Sequence, residues 1–267
     1  MIQSFTEGFF IMNTTIGGIL DITNSFFELI YPPTCAGCGT SIYGQKNPIC
    51  SNCMHHLRMI SNPICPLCGA PLSADHDPKS HKCRFCPPGK LYFNKVRSVY
   101  SYKDKTIKNL IQSLKFNHQR NLSPPLSRLL YLGFKKYYDK DVNKIDALIP
   151  VPLHKSRLRE REFNQSLLLS REIVLRTNIP LRNDLAQRIR PTPAQSSLDT
   201  KKRMKNLANA FAITPNSSVE GLTVLIIDDV MTTGATINTL SKAFKDKGAA
   251  KIFALTLALT IDIPSNR

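Results

Sequence analysis

The sequence is short of the features that would settle its class quickly, and each shortage excludes something. No apolar run is long enough to span a membrane, which excludes an integral helical protein. The first residues lack a basic start and carry Glu7 early, so they do not read as a secretory signal. Without export, the expected location is cytoplasmic and the compartment reducing, where disulfides are rare. Acidic residues are scarce in the middle of the chain. Residues 88–210 hold 26 Lys/Arg against 9 Asp/Glu, whereas residues 1–87 and 211–267 each balance five with five. The whole formal charge of +17 therefore sits in that middle stretch. Such an asymmetry suits a polyanionic partner, nucleic acid above all, with solubility charge on an ordinary surface as the plainer alternative.

All eight cysteines fall in the first third, as four Cys-x-x-Cys pairs: Cys35/Cys38, Cys50/Cys53, Cys65/Cys68 and Cys83/Cys86. Two-residue spacing turns two thiolates toward one ion, and two such knuckles complete a tetrahedral Zn²⁺ site. Proline and glycine flank most pairs, as tight knuckles require. Sequence order favours the first two pairs on one zinc and the last two on another, with interleaved pairing left open. A redox Cys-x-x-Cys would not recur four times. Cysteine fills every position, so both zincs are expected to be structural, with no open place for substrate. Eight thiolates around two Zn²⁺ add about −4 to the local charge, which disfavours phosphate there. His55, His56, His76 and His81 then read as surface or second-layer groups.

Residues 223–236 read TVLIIDDVMTTGAT. A β-branched run ends in two adjacent carboxylates, a small-residue loop follows, and a helical pattern starts at Ile237. Strand, tight loop and helix N-terminus together make an anion site. The loop lacks Gly-Lys-Ser/Thr, which excludes the nucleoside-triphosphate P-loop. Two carboxylates repel phosphate, yet they accept hydrogen bonds from a sugar diol or hold Mg²⁺ through water. Phosphoribosyl pyrophosphate (PRPP) combines a 5′-phosphate, a free 2′,3′-diol and a pyrophosphate. A capped turn, with Asp229 or Thr236 as the cap, explains neither the carboxylate pair nor the threonine cluster.

The remaining pattern is an alternation of strands and helices. Residues 91–102, 146–152, 209–213 and 251–260 read as strands. Residues 104–116, 121–138, 164–176 and 237–247 read as helices, with Gly248 at a C-terminal cap. Lys115 and Phe116 put a cation beside an aromatic, as single-stranded nucleic acid would use, although a helix end with a core Phe reads equally well. After the strand at 146–152 a basic loop carries Lys155, Arg157, Arg159 and Arg161, suited to a pyrophosphate or to a nucleic-acid backbone. Strand-end loops bind ligands in open α/β sheets. Residues 191–208 are polar, basic and proline-punctuated, as a mobile lid would be. Residues 16–31 carry apolar groups at helical spacing, and Met12 is a possible true start.

The motifs CAGC, VPLHKSRLREREFNQS, TPAQSSLDTKKRMKNLANAF and VLIIDDVMTTGATINTL, in this order, resemble the ComF family, specifically its ComFC-like competence proteins. The resemblance covers nearly the whole chain after about residue 27. It implies an N-terminal segment (1–31), a double zinc ribbon (32–88) and a type I phosphoribosyltransferase-like open parallel sheet flanked by helices (89–267). The run at 223–236 is similar to the PRPP loop of those transferases. Asp228 and Asp229 would take the ribose hydroxyls, and Thr232, Thr233, Gly234, Ala235 and Thr236 would wrap the 5′-phosphate. The arginine motif corresponds to the pyrophosphate loop. The third motif, with Gln195, Ser196, Lys201, Lys202 and Arg203, corresponds to the flexible loop. Where the family usually reads Arg-Gly-Phe-Asn-Gln, this chain has Glu162 in place of the glycine. That change restricts φ and weakens the local positive field.

The resemblance implies a protein that handles incoming single-stranded DNA during natural transformation, beside a ComFA-type helicase. An active phosphoribosyltransferase using Mg²⁺-bound PRPP and an unknown acceptor is the alternative, although the sequence shows no acceptor pocket and no glutaminase segment. A binder whose DNA affinity is controlled by PRPP combines both readings.

Overall fold

The computed structural model describes residues 32–72, 83–87, 89–117, 119–191 and 209–260. The expected N-terminal helix and the flexible-loop residues Gln195, Ser196, Lys201, Lys202 and Arg203 lie outside them, as do His76 and His81.

Helix α1 (Ser51–His56) starts after Cys50, whose Sγ accepts the Cys53 N–H. Strand β1 (Lys95–Ser101) leads to α2 (Lys105–Phe116), which begins where the Asp104 carboxylate accepts the Ile107 N–H at 3.1 Å. Helix α3 (Ser123–Tyr138) places its prolines in the first turn, where no N–H is missed. Next come β2 (Ala147–Pro150), α4 (Lys155–Arg161), α5 (Gln165–Leu169), α6 (Arg171–Thr177) and the short strands β3 (Ala186–Arg188) and β4 (Phe211–Ile213). Strand β5 (Thr223–Met231), α7 (Ala235–Asp246) and β6 (Lys251–Leu259) complete the set.

Four strands form a parallel sheet in the order β1-β6-β5-β2, while β3 and β4 pair antiparallel apart from it. The central strand β5 is apolar on both sides, as a parallel strand covered on two faces must be. Val224 and Ile226 enter one core, beneath Ile237, Leu240 and Phe244 of α7. Leu225 and Ile227 enter the other, with α2, α3 and α6. The cysteines divide the same way: Cys65, Cys68 and Cys83 belong to the α7-side core, and Cys35 and Cys53 to the opposite one.

Two elements differ from the sequence-based expectation. The basic stretch after β2 is a helix rather than a loop: His154 Nδ1 accepts the Ser156 N–H, and the turn closes at Glu162. The single helix expected over 164–176 is broken at Ser170. There Ser127 of α3 donates to Leu169 C=O and accepts the Glu172 N–H, so a neighbouring hydroxyl occupies the backbone groups at the junction.

Candidate functional site

The cysteines assemble as the sequence order predicts. Cys35, Cys38, Cys50 and Cys53 form one tetrad, and Cys65, Cys68, Cys83 and Cys86 the other, each with its sulfurs within 4.8 Å of one another. Tetrahedral Zn–S bonds of about 2.3 Å put sulfurs roughly 3.8 Å apart. The observed separations are 3.8 Å for Cys35–Cys53 and Cys38–Cys50, and 3.8 Å and 3.4 Å for Cys65–Cys86 and Cys68–Cys83. Backbone N–H groups of Gly37 and Cys50 point at Cys35 Sγ, which favours the thiolate. Hydrogen bonding to Thr40 brings the Cys38 thiol down to about 6. Both tetrads therefore fit structural zinc.

The second site lies at the carboxyl ends of β2 and β5. Asp228 and Asp229 are buried within β5. Asp228 Oδ1 accepts from Ser166 Oγ at 3.1 Å and from the Asp229 N–H at 2.9 Å. Lys115 Nζ, from the last turn of α2, lies 2.6 Å from Asp229 Oδ2. Burial, with the Asp229 charge beside it, pushes the Asp228 carboxyl up to about 7, and the Lys115 ammonium opposes that rise. The carboxylate pair is thus held in place before any ligand arrives.

The loop that follows is tight. Gly234 has φ +72°, and a Cβ there would meet Pro87 at 2.8 Å and Met231 at 2.9 Å. Only glycine combines that φ with so close an approach to the residue following Cys86. Thr233 Oγ1 accepts the Ala235 N–H at 3.4 Å, so neither Asp229 nor Thr236 caps the helix. Thr232 is exposed, and Thr233 and Thr236 are half-buried.

Of the four basic residues on α4, the structure brings Arg161 to the carboxylates. Arg161 is buried, its guanidinium lies over the Phe116 ring at 5.3 Å, and its Nε has no partner. Burial lowers its pKa, and the Asp229 and Asp228 charges work against that. Arg157 lies near enough to Arg161 and Arg188 for its charge to oppose theirs, and it pairs with Glu160 at 3.0 Å. Lys155 and Arg159 are exposed, Lys155 at the rim of a cavity beside Arg188. Glu162 takes the glycine-favoured conformation, φ +64°, at a cost of roughly 1–2 kcal/mol.

Sequence reasoning missed three residues here. Ser166 follows the Phe-Asn-Gln motif directly and could have been read from it. Arg188, on β3, is drawn by the Asp228 charge and repelled by Arg157 and Arg161, so it belongs to the same cluster. No local pattern marked it. Lys115 stood out as a nucleic-acid contact, whereas its charge is engaged by Asp229. Phe116 is not a core residue: it is 56% exposed. Beside the cluster, a cavity of about 460 Å³ lies between β2, α5 and β3, walled by Pro150, Phe163 and Leu167 and edged by Asn183, Gln187 and Arg188.

Both parts of the chain match known families. Residues 26–87 match the Double zinc ribbon domain family and residues 165–265 the Phosphoribosyl transferase domain family. The chain is 32% identical over 228 residues to Competence protein F of Haemophilus influenzae, across 84% of this chain and 96% of that protein. It belongs to the ComF family of competence proteins. Within the family it is also 32% identical to Competence protein ComFC of Bacillus subtilis, over 72% of this chain and 75% of that one. The DNA utilization protein YhgH of Escherichia coli K12 is 30% identical over 73% of this chain and 83% of its own length. The ComF chain thus combines two zinc-ribbon tetrads with a phosphoribosyltransferase-type sheet. Among the described residues no helix is long and apolar enough to cross a membrane.

Proposed function

We propose that this chain handles incoming single-stranded DNA during natural transformation, in the cytoplasm and beside a ComFA-type helicase, and that it retains its strand-end loop as a PRPP site. The observation that carries the reading is Arg161: a buried guanidinium with an unpartnered Nε, between an exposed aromatic and the carboxylate pair. A donor in that position calls for an anionic oxygen. The charge excess of residues 88–210 and the names of the relatives point the same way. In PRPP the ribose hydroxyls would donate to Asp228 and Asp229, and the backbone of residues 232–236 would hold the 5′-phosphate. Arg157 and Arg161 would meet the pyrophosphate. Mg²⁺ would come with the pyrophosphate oxygens and neutralise their charge.

Phosphoribosyl transfer is favoured by one observation, the cavity beside Arg188, which is large enough for a heteroaromatic acceptor. The two readings separate in one titration. Zinc-loaded protein is mixed with labelled single-stranded DNA at two salt concentrations, with and without Mg²⁺–PRPP, and anisotropy is read. Salt-sensitive binding is expected, with a shift on adding Mg²⁺–PRPP that Asp228→Asn with Asp229→Asn abolishes. No binding at low salt overturns the DNA reading and leaves transfer to the cavity's ligand.

A further inference from the structure

Phe116 is a large apolar side chain that the core does not use. It ends α2, is more than half exposed, and carries the Arg161 guanidinium against its ring. Phe116 also lines a groove between α2 and the first cysteine knuckle. The groove is lined by Asn109, Gln112, Ser113 and Asn117 together with residues 35–39. Asn109 Nδ2 donates to Gly37 C=O at 2.8 Å, so knuckle and helix are tied together. Phe116 is shared by two surroundings of opposite chemistry. Arg157 and Arg161 lie toward the strand ends and carry the positive charge. Among the described residues the groove offers amides and a hydroxyl and no basic side chain, and Cys35 and Cys38 of its wall belong to a thiolate tetrad that would repel phosphate with metal bound.

We infer that the groove takes an unpaired base of single-stranded DNA, stacked on Phe116, with the adjoining phosphate directed to Arg161. This rests on the DNA-handling reading and assigns a place to the strand. Stacking on a phenyl ring accepts any base, since every base has a π-face. The groove's amides present both donors and acceptors, as a base edge requires and a phosphate does not. A duplex keeps its base edges paired and its faces stacked, so the groove discriminates against it. The first zinc site acquires a second task, holding one wall of the groove at a fixed distance from the ring.

The chain contains no tryptophan, which makes the test direct. Phe116→Trp gives a single emitter at the proposed stacking face. Single-stranded oligothymidylate is expected to quench its emission roughly twofold, along the same isotherm that anisotropy reports. Phe116→Ala is expected to weaken binding roughly tenfold, the loss of one base–aromatic stack. Binding by anisotropy with unmoved emission, and with Phe116→Ala binding like the parent, overturns the inference and leaves DNA handling in place. Equal quenching by a duplex overturns the claim of an unpaired base. Absence of any binding removes both this inference and the reading beneath it.

Discussion

The two zinc-ribbon tetrads have the same cysteine spacing and different surroundings. The second is sunk in the molecule: Cys65 and Cys68 have no exposed surface, the Val96 N–H donates to Leu67 C=O, and Arg97 Nη1 donates to Pro66 C=O at 3.0 Å. The first leaves Cys38 exposed and meets the sheet domain chiefly through α2, by Asn109 and by Thr106 against Cys53. One tetrad is therefore part of the sheet's packing, and the other is a wall beside the candidate site. A repeated metal motif can stabilise a fold in one copy and shape a surface in the other.

The largest effect expected from this difference comes from the cysteines themselves. Cys65→Ser with Cys68→Ser should abolish the cooperative unfolding transition of the whole domain, because the lost metal leaves polar groups buried under β1. Cys38→Ser with Cys50→Ser should keep a cooperative transition while lowering single-stranded DNA affinity. Zinc content and urea denaturation followed by circular dichroism check both. Similar outcomes for the two pairs would show that the tetrads are equivalent.

A smaller effect separates two glycines at matching positions. Gly39 and Gly69 each follow the second cysteine of a knuckle, with φ +78° and +74°. A Cβ on Gly39 meets nothing within 4 Å, whereas one on Gly69 meets the Val96 carbonyl oxygen at 2.7 Å. Gly39→Ala should cost only the backbone strain, about 1–2 kcal/mol. Gly69→Ala should add about 1–3 kcal/mol for the clash with β1. Chemical denaturation midpoints of the two variants measure the gap.

The smallest effect is on pH dependence at the carboxylate pair. The folded chain holds a proton on Asp228 more tightly than the unfolded chain, whose value is near the ordinary 3.8. This contribution is whole below about pH 4 and is lost as pH rises toward 7. Lys115 lowers the Asp228 pKa, so Lys115→Met should move the loss to higher pH and leave the protein weakest, relative to the parent, in alkaline buffer. Urea midpoints across the pH range read the shift, and parallel curves would place the Lys115 charge outside the carboxylate field.

Much of the architecture was legible because its signals are local. Cys-x-x-Cys spacing, the β-branched run before Asp228, and the capping residue Gly248 each act within a few positions of the chain. The central place of β5 follows from the same run, since burial on both faces needs an unbroken apolar stretch. The site was legible only in part. Asp228, Asp229 and Gly234 announce themselves, whereas Arg188 reaches the cluster from a three-residue strand whose place is set by pairing with β4. Lys115 carried the right chemistry under the wrong assignment, because a cation beside an aromatic reads the same whether it meets a phosphate or a buried carboxylate. The helix over Lys155–Arg161 was hidden by its charge density, which reads as a loop until His154 is seen capping it.

The pairing of β1 with β6 carries a consequence for synthesis. Among the described residues the one sheet strand that pairs along β1 is the last, β6, which is complete only when Leu259 has been made; the other edge of β1 meets the zinc-ribbon segment at Met59–Tyr100, Ile60–Val99 and Leu67–Val96. The knuckles emerge early and can load zinc, yet the apolar groups they share with the sheet stay uncovered until the end. Closure across so long a separation is slow, and the waiting chain is open to aggregation. Early metal loading would keep the nascent N-terminal third compact during that interval, and a chain stopped before Lys251 would leave the β6-facing edge of β1 open.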